Sequence, residues 1–366
     1  MSGTGLLNFN VKFSFVFFFV LGVIAPLHAQ LEVKIYYDNK KENIQEIYSV
    51  SKEDPDEKIG HYKRFYETGT VMVEGNFEGG QKSGTFIEYH ENGKPARKVI
   101  YVNGMRHGPV QVFNEEGIPV QTAYYQNDKL TDSIQLYYDN GNLRAQTYFV
   151  KGKPEGLVKE FYNNGRLRKE ISYKDGKPNG ITRTFYESGT VETEANYEAG
   201  ILTGFYKTYF PNGQLQTVST MVAGSKNGTY NIYDEQGNLL LSGNFLHGKM
   251  HGDNTGYYTD GTIEHRFHYK NGAKVNTNFT YYPSGKIKLK EVVAGNEVDM
   301  TTEEWSEEGQ LVATKRYKNN RPHGEWIFYQ QNKMPLRKET YEAGKLHGLR
   351  TDYYFNGKIK TEETWK

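Results

Sequence analysis

A period of 24 residues constrains this chain more than any other feature. Units open at Gly60, Gly84, Gly108, Asp132, Gly156, Gly180, Gly204, Gly228, Gly252, Asn276, Met300, Gly324 and Gly348, which makes 13 units in unbroken register. Five residues into each stands an aromatic ring, from Phe65 and Tyr89 through Phe161 and Phe185 to Trp305, Tyr329 and Tyr353. A fixed period of this length means one supersecondary unit stacked on copies of itself.

With the opening residue as position 0, positions 1 to 6 read as a strand and 7 to 9 as a tight turn. Positions 10 to 18 read as a second strand and 19 to 24 as a wider turn. Position 9 is Gly in 12 of the 13 units, with Lys333 the exception, and it usually follows Asn, Ser or Thr. Position 20 is Gly in nine units and Asp128, Asn296 or Asn320 in three others. These residue types suit a backbone of positive φ, as hairpin turns require.

Side chains alternate along a strand, so positions 11 and 17 are expected on one face. Position 11 is always Val, Ile, Leu or Pro, and position 17 is apolar from Phe77 to Trp365. Together with the position 5 rings they form the expected core face, while Arg166, Arg168, Glu170 and Ser172 are expected to meet water. An apolar period of two between regularly placed glycines excludes helix. The fold expected is all-β: an array of about 13 antiparallel hairpins forming a long twisted sheet or an open solenoid. Two strands per unit, spaced about 4.8 Å, give a length on the order of 120 Å. Each unit should contact only its neighbours.

Composition agrees with a core of rings, since 36% of residues are hydrophobic and 14% are aromatic. The chain has no Cys, so neither a disulfide framework nor a lipid anchor on cysteine is available. Residues 1–29 differ from the rest: Lys12 is their only charged side chain, Phe13 to Ile24 is an apolar run, and Leu27-His28-Ala29 ends in a small residue. This pattern predicts a secretory signal cleaved before Gln30, and with it export to the periplasm, cell envelope or extracellular space. The competing reading is a retained anchor, but Phe13 to Leu27 is short for roughly 30 Å of hydrocarbon. Cleavage removes one of 45 basic residues and none of the 44 acidic ones, leaving a neutral chain with no field to recruit nucleic acid or an anionic membrane. Residues 30–59 read as a degenerate capping hairpin, because Tyr36-Tyr37-Asp38-Asn39-Lys40 is a worn copy of Phe161-Tyr162-Asn163-Asn164-Gly165. The regular array then runs from 60 to 366.

Position 6 carries a second ring in eight units. Tyr138, Tyr162, Tyr186 and Phe210 are consecutive, and Tyr258 and Tyr282 extend the row. If position 5 faces the core, these rings lie on the other face about 10 Å apart. Such a row could grip a protein or stack a glycan, or it could steady the sheet through cross-strand pairs. His107, His251, His323 and His347 each precede a unit-opening glycine, but only the last two come from adjacent units and no Cys joins them. His265 and His268 fall on opposite faces. No metal site, cofactor site, nucleophile elbow or phosphate loop is expected, and no catalytic residue is assigned.

Units of the form F-Y-x-N-G-x-L-x-x-E-x-x-Y-x-x-G-K-x-x-G, as in Phe161 to Gly180 and Phe185 to Gly204, resemble MORN repeats. They look closest to the bacterial MORN-variant proteins known as YwqK-type antitoxins. The resemblance implies a β-hairpin array used for protein or lipid contacts, without catalysis. The leading expectation is an exported, non-enzymatic scaffold binding a protein or an envelope polymer. An antitoxin-like protein that neutralises a specific toxin is the second, and a glycan-binding protein the third.

Overall fold

The computed structural model describes residues 30–295 and 298–366; the signal segment expected at 1–29, and Asn296, lie outside them. The described residues form one all-antiparallel, open sheet of 32 strand segments with no helix. Four of these are two-residue pieces (Lys153–Pro154, Lys249–Met250, Ala273–Lys274 and Arg321–Pro322) split from the strand that follows, so the sheet has 28 full strands, 32 less four. Two per unit account for 26. The other two, Gln30–Tyr36 and Ile44–Ser51, pair with each other and then onto Lys58–Phe65. Contacts are local throughout. The longest side-chain hydrogen bond in sequence among the described residues, Tyr37 Oη to Phe65 O, spans 28 residues.

Two kinds of turn close each unit, and both depart from the simple reading. Positions 19 and 20 alone make the inter-unit turn: Ala199 and Gly200 have φ of 49° and 88°, and Asn319 and Asn320 have 50° and 58°. Two successive positive φ values define a type I′ hairpin, whose twist matches that of its strands. The next strand therefore begins at position 21, as in Lys177–Phe185, and not beyond a wide turn. The unit-opening glycine falls inside that strand. Ala195 pairs with Tyr206 and Tyr197 with Leu202, so Thr203, Gly204 and Phe205 bulge opposite the single Asn196. Gly204 has φ of 75°, which is what the bulge demands of position 0.

The other turn is a three-residue loop at positions 7 to 9. Tyr162 N donates to Arg166 O at 2.8 Å and Gly165 N to Tyr162 O at 2.9 Å. Beyond it the register slips again: Thr184 pairs with Thr193 but Phe185 with Val191, leaving Glu192 as an extra residue. An odd insertion reverses the alternation. The expectation that positions 5, 11 and 17 share one core face is therefore corrected: position 5 pairs with position 11, on the face opposite position 17.

The packed face belongs to positions 2, 15 and 17. Phe86 lies 5.5 Å from Phe77 and 5.3 Å from Tyr101, ring centre to ring centre, both edge-on. Tyr62–Phe77 and Tyr230–Phe245 repeat the contact at 5.4 and 5.5 Å. The deepest side chains sit along the mid-line, where Phe86 is 2% exposed, Val99 1% and Ala123 0%. Large residues at position 2 alternate with small ones at position 15, as Tyr62 opposite Gly75 and Tyr230 opposite Gly243 show. Lysine stems complete the cover; Lys82 Nζ stands 4.8 Å from the Phe86 ring centre and 5.0 Å from that of Tyr101. Toward the C-terminus the mid-line turns polar. Asn278 is fully buried, accepting from His268 N at 2.6 Å and donating to Val275 O at 3.2 Å.

Candidate functional site

The position 6 row lies along the three-residue-loop edge, and all six candidate residues are half-buried rather than free on a face. Each tyrosine hydroxyl donates to the position 5 carbonyl of the next unit: Tyr138 to Phe161 O at 2.7 Å, Tyr162 to Phe185 O at 2.6 Å and Tyr186 to Tyr209 O at 2.8 Å. Tyr258 reaches Tyr281 O and Tyr282 reaches Trp305 O in the same way, at 2.8 and 2.9 Å. That carbonyl sits where strand pairing gives way to the loop, so an acceptor would otherwise be left to solvent. Position 8 adds a second rung, with Asn140 Nδ2 donating to Asn163 O at 3.1 Å and Asn212 Nδ2 to Glu235 O at 3.0 Å. Phe210 has no hydroxyl to give. It lines a shallow open hollow of about 600 Å³ with Thr217, Ile232, Tyr233 and Leu240.

On the face opposite the packed rings, positions 3 and 14 carry a charged ladder. Arg183 bridges Glu170 at 3.1 Å and Glu194 at 2.8 Å, and Glu194 also meets Lys207 at 3.6 Å. Glu170 is thus a partner in this ladder rather than a free solvated carboxylate. The position 5 rings join the same face: Tyr137 Oη donates to Gln135 Oε1 at 2.7 Å, and burial together with the Glu74 carboxylate pushes the Tyr89 hydroxyl up to about 12.

Between that ladder and the type I′ turns runs a strip with no counterpart among the expected sites. Tyr124, Tyr148, Val150, Leu157, Ile181 and Ile201 stand at positions 16, 18, 1 and 21, all pointing away from the packed rings, and all are exposed, Val150 to 55%. Their spacing follows the array, two strands or about 10 Å per unit. Pattern reading missed them because none of these positions is apolar throughout the array. The signal was available only after the bulges had placed positions 16, 18, 21 and 1 on a common face.

The histidines stay apart. His107 lies 3.4 Å from Asn127 Oδ1, and His347 lies 3.3 Å from Glu342. Among the described residues no group of three metal-ligating side chains converges. His265 stacks on Phe267 at 4.3 Å over Gly256, and burial lowers its pKa. His268, on the other face, pairs with Asp253.

Eight stretches of the chain match the MORN repeat variant: residues 58–78, 82–103, 134–151, 154–175, 178–199, 202–222, 250–271 and 346–366. In those eight stretches the chain carries MORN repeats. Hairpins of the same form continue where the sequence match lapses, as at Met105–Phe113 with Pro119–Gln126 and Ser225–Tyr233 with Leu239–Leu246. No curated protein matches the chain. Among solved structures it aligns with a TcdB2-TccC3-Cdc42 complex at 10% identity and a TM-score of 0.17, and with a Photorhabdus luminescens Tc holotoxin pore at 11% and 0.16. Each alignment covers 92% of this chain and 23% of the other, so the chain spans about a quarter of their length.

Proposed function

We propose that this MORN-repeat chain is an exported, non-enzymatic scaffold that binds another protein through the face opposite its packed rings. The observation that carries the reading is the exposed apolar strip from Tyr124 to Ile201. Apolar surface gathered on one face of a soluble array, with polar groups on both flanks, is how a protein contact is built. The packed rings, the tyrosine tethers and the charged ladder all have partners inside the array, whereas the apolar surface of this strip stays open, its one side-chain hydrogen bond among the described residues being Gln146 Nε2 to Tyr148 Oη at 2.9 Å. Export rests on the apolar run Phe13 to Ile24 ahead of Ala29.

The test is a pull-down from envelope extract with the chain beginning at Gln30, beside a variant carrying Tyr148→Ser, Val150→Ser and Leu157→Ser. These side chains are exposed, so the variant should fold with a thermal midpoint within a few degrees of the parent. It should lose the partner that the parent retains. Equal recovery by both proteins would remove the strip from the reading, and an intact Met1 on natively expressed protein would remove export.

A further inference from the structure

Four lysines border the apolar strip, and none has a partner. Lys129, Lys153, Lys174 and Lys177 occupy positions 18 and 21 of three successive units, all exposed. Among the described residues none of the four joins an ion pair, a side-chain hydrogen bond or a ring contact. Lysines of the charged ladder at position 3 of the same face are paired, as Lys63 is with Glu74 and Lys207 with Glu194. Three nearby carboxylates are engaged elsewhere: Asp128 holds Arg106 at 2.8 Å, Glu155 accepts from Asp175 N at 2.8 Å, and Glu170 belongs to Arg183, while Asp175 in the turn makes no ion pair with Lys174 or Lys177. Lys174 and Lys177 stand directly opposite each other across a type I′ turn. Like charges so placed destabilise a sheet, and the cost disappears when a negative group lies between them.

We propose that this face of the array, from Tyr124 to Ile181, docks a segment of another protein in which apolar side chains are flanked by carboxylates. The inference rests on the scaffold reading and adds the chemistry of the partner. Val150 stands opposite Lys153 across the turn, and Leu157 and Ile181 lie further inward along the same strands as Lys153 and Lys177. An apolar centre behind a charged rim fits a protein partner. A bilayer would need the apolar groups to protrude furthest, with cations behind them; here the lysines form the outer rim. Nucleic acid would leave Val150 and Leu157 without contacts. Glu198, opposite Ile201, closes the basic stretch and sets the end of the footprint.

The test places a benzophenone amino acid at Val150 in the full chain, expressed where the native protein resides, and sequences the cross-linked product. A second protein adds Lys153→Glu, Lys174→Glu and Lys177→Glu, and phosphatidylglycerol vesicles are offered to both. The expected result is a cross-linked protein segment rich in Asp or Glu among apolar residues, with yield reduced at least tenfold by charge reversal. Lys177→Glu alone should raise the thermal midpoint slightly, because it places opposite charges across the turn. A protein segment without carboxylates, or a yield indifferent to charge reversal, would overturn the acidic-partner inference and leave the scaffold reading standing. Cross-links confined to lipid, with vesicle binding that depends on the lysines, would overturn both.

Discussion

Replacing Gly75 by Ala tests whether the mid-line of the packed face is as tight as its geometry implies. Gly75 does not have a positive φ, so its backbone accommodates any residue. At such a site Gly→Ala usually stabilises by about 0.4–1 kcal/mol, by restricting the unfolded chain. Here a Cβ would fall 2.5 Å from the Phe86 ring. Phe86 cannot retreat, held between Phe77 at 5.5 Å and Tyr101 at 5.3 Å. Overpacking of this kind costs about 1–3 kcal/mol, so Gly75→Ala should be destabilising on balance. Unit 3 shows the relief: there Ala123, fully buried, pairs with Val110 and Ile134. In a Phe86→Val background, Gly75→Ala should therefore reverse sign and stabilise. The assay is native-state hydrogen exchange on amides between 71 and 101, because a long array does not unfold in one step. If Gly75→Ala were equally destabilising in both backgrounds, the interlock between positions 2 and 15 would be refuted.

Three further outcomes follow from the turns and tethers. Lys333 adopts φ of 64° at the one position 9 that is not Gly, so Lys333→Gly should stabilise its unit by on the order of 1 kcal/mol in a urea melt; no change would mean that the loop relaxes without strain. Tyr162→Phe removes the 2.6 Å bond to Phe185 O and should cost about 1 kcal/mol, seen as faster exchange in the units on either side while residues near Gly60 stay protected. Burial lowers the pKa of His265, so its unit should be most stable above about pH 6.5, the ordinary histidine value, and lose stability as pH falls from there through the folded pKa. His265→Phe should remove that slope from exchange measured across 252–270, and a slope that survives would assign the effect to another group.

Much of this architecture was legible because the turns leave a chemical record. Glycine at position 9, and the Gly, Asp or Asn at position 20, mark two of the positive-φ residues of each unit, which most L side chains resist, so hairpin count and period could be read directly. Gly204 and its equivalents left the same mark, yet their meaning was ambiguous. A glycine in a wide turn and a glycine in a bulge are the same letter, and only pairing distinguishes Thr203–Phe205 as a bulge opposite Asn196. The tyrosines at position 6 were visible as a row. Their role as tethers was not, because it depends on a carbonyl one unit away, 23 residues along the chain.

Face assignment is where parity counting fails, and it decides what can be said about function. Counting by twos from Phe161 to Tyr173 crosses the bulge that carries the extra residue Arg168, equivalent to Glu192 in the next unit. One uncounted residue moves every later side chain to the opposite face. The error is self-concealing in a thin sheet, since rings at position 5 and rings at position 17 each find neighbours on their own side: Phe279 stacks with Tyr281 on one, Tyr317 packs against Trp326 on the other. Both faces thus contain aromatic residues, and composition alone cannot say which is closed. What separates them is partner size. Positions 2 and 15 interlock large against small along the buried mid-line, whereas Tyr124, Val150 and Leu157 stand opposite Pro109, Lys153 and Ser172 and stay open. A binding face on such an array is therefore set by where interlocking stops, a property of residue pairs across strands that no single repeat position records.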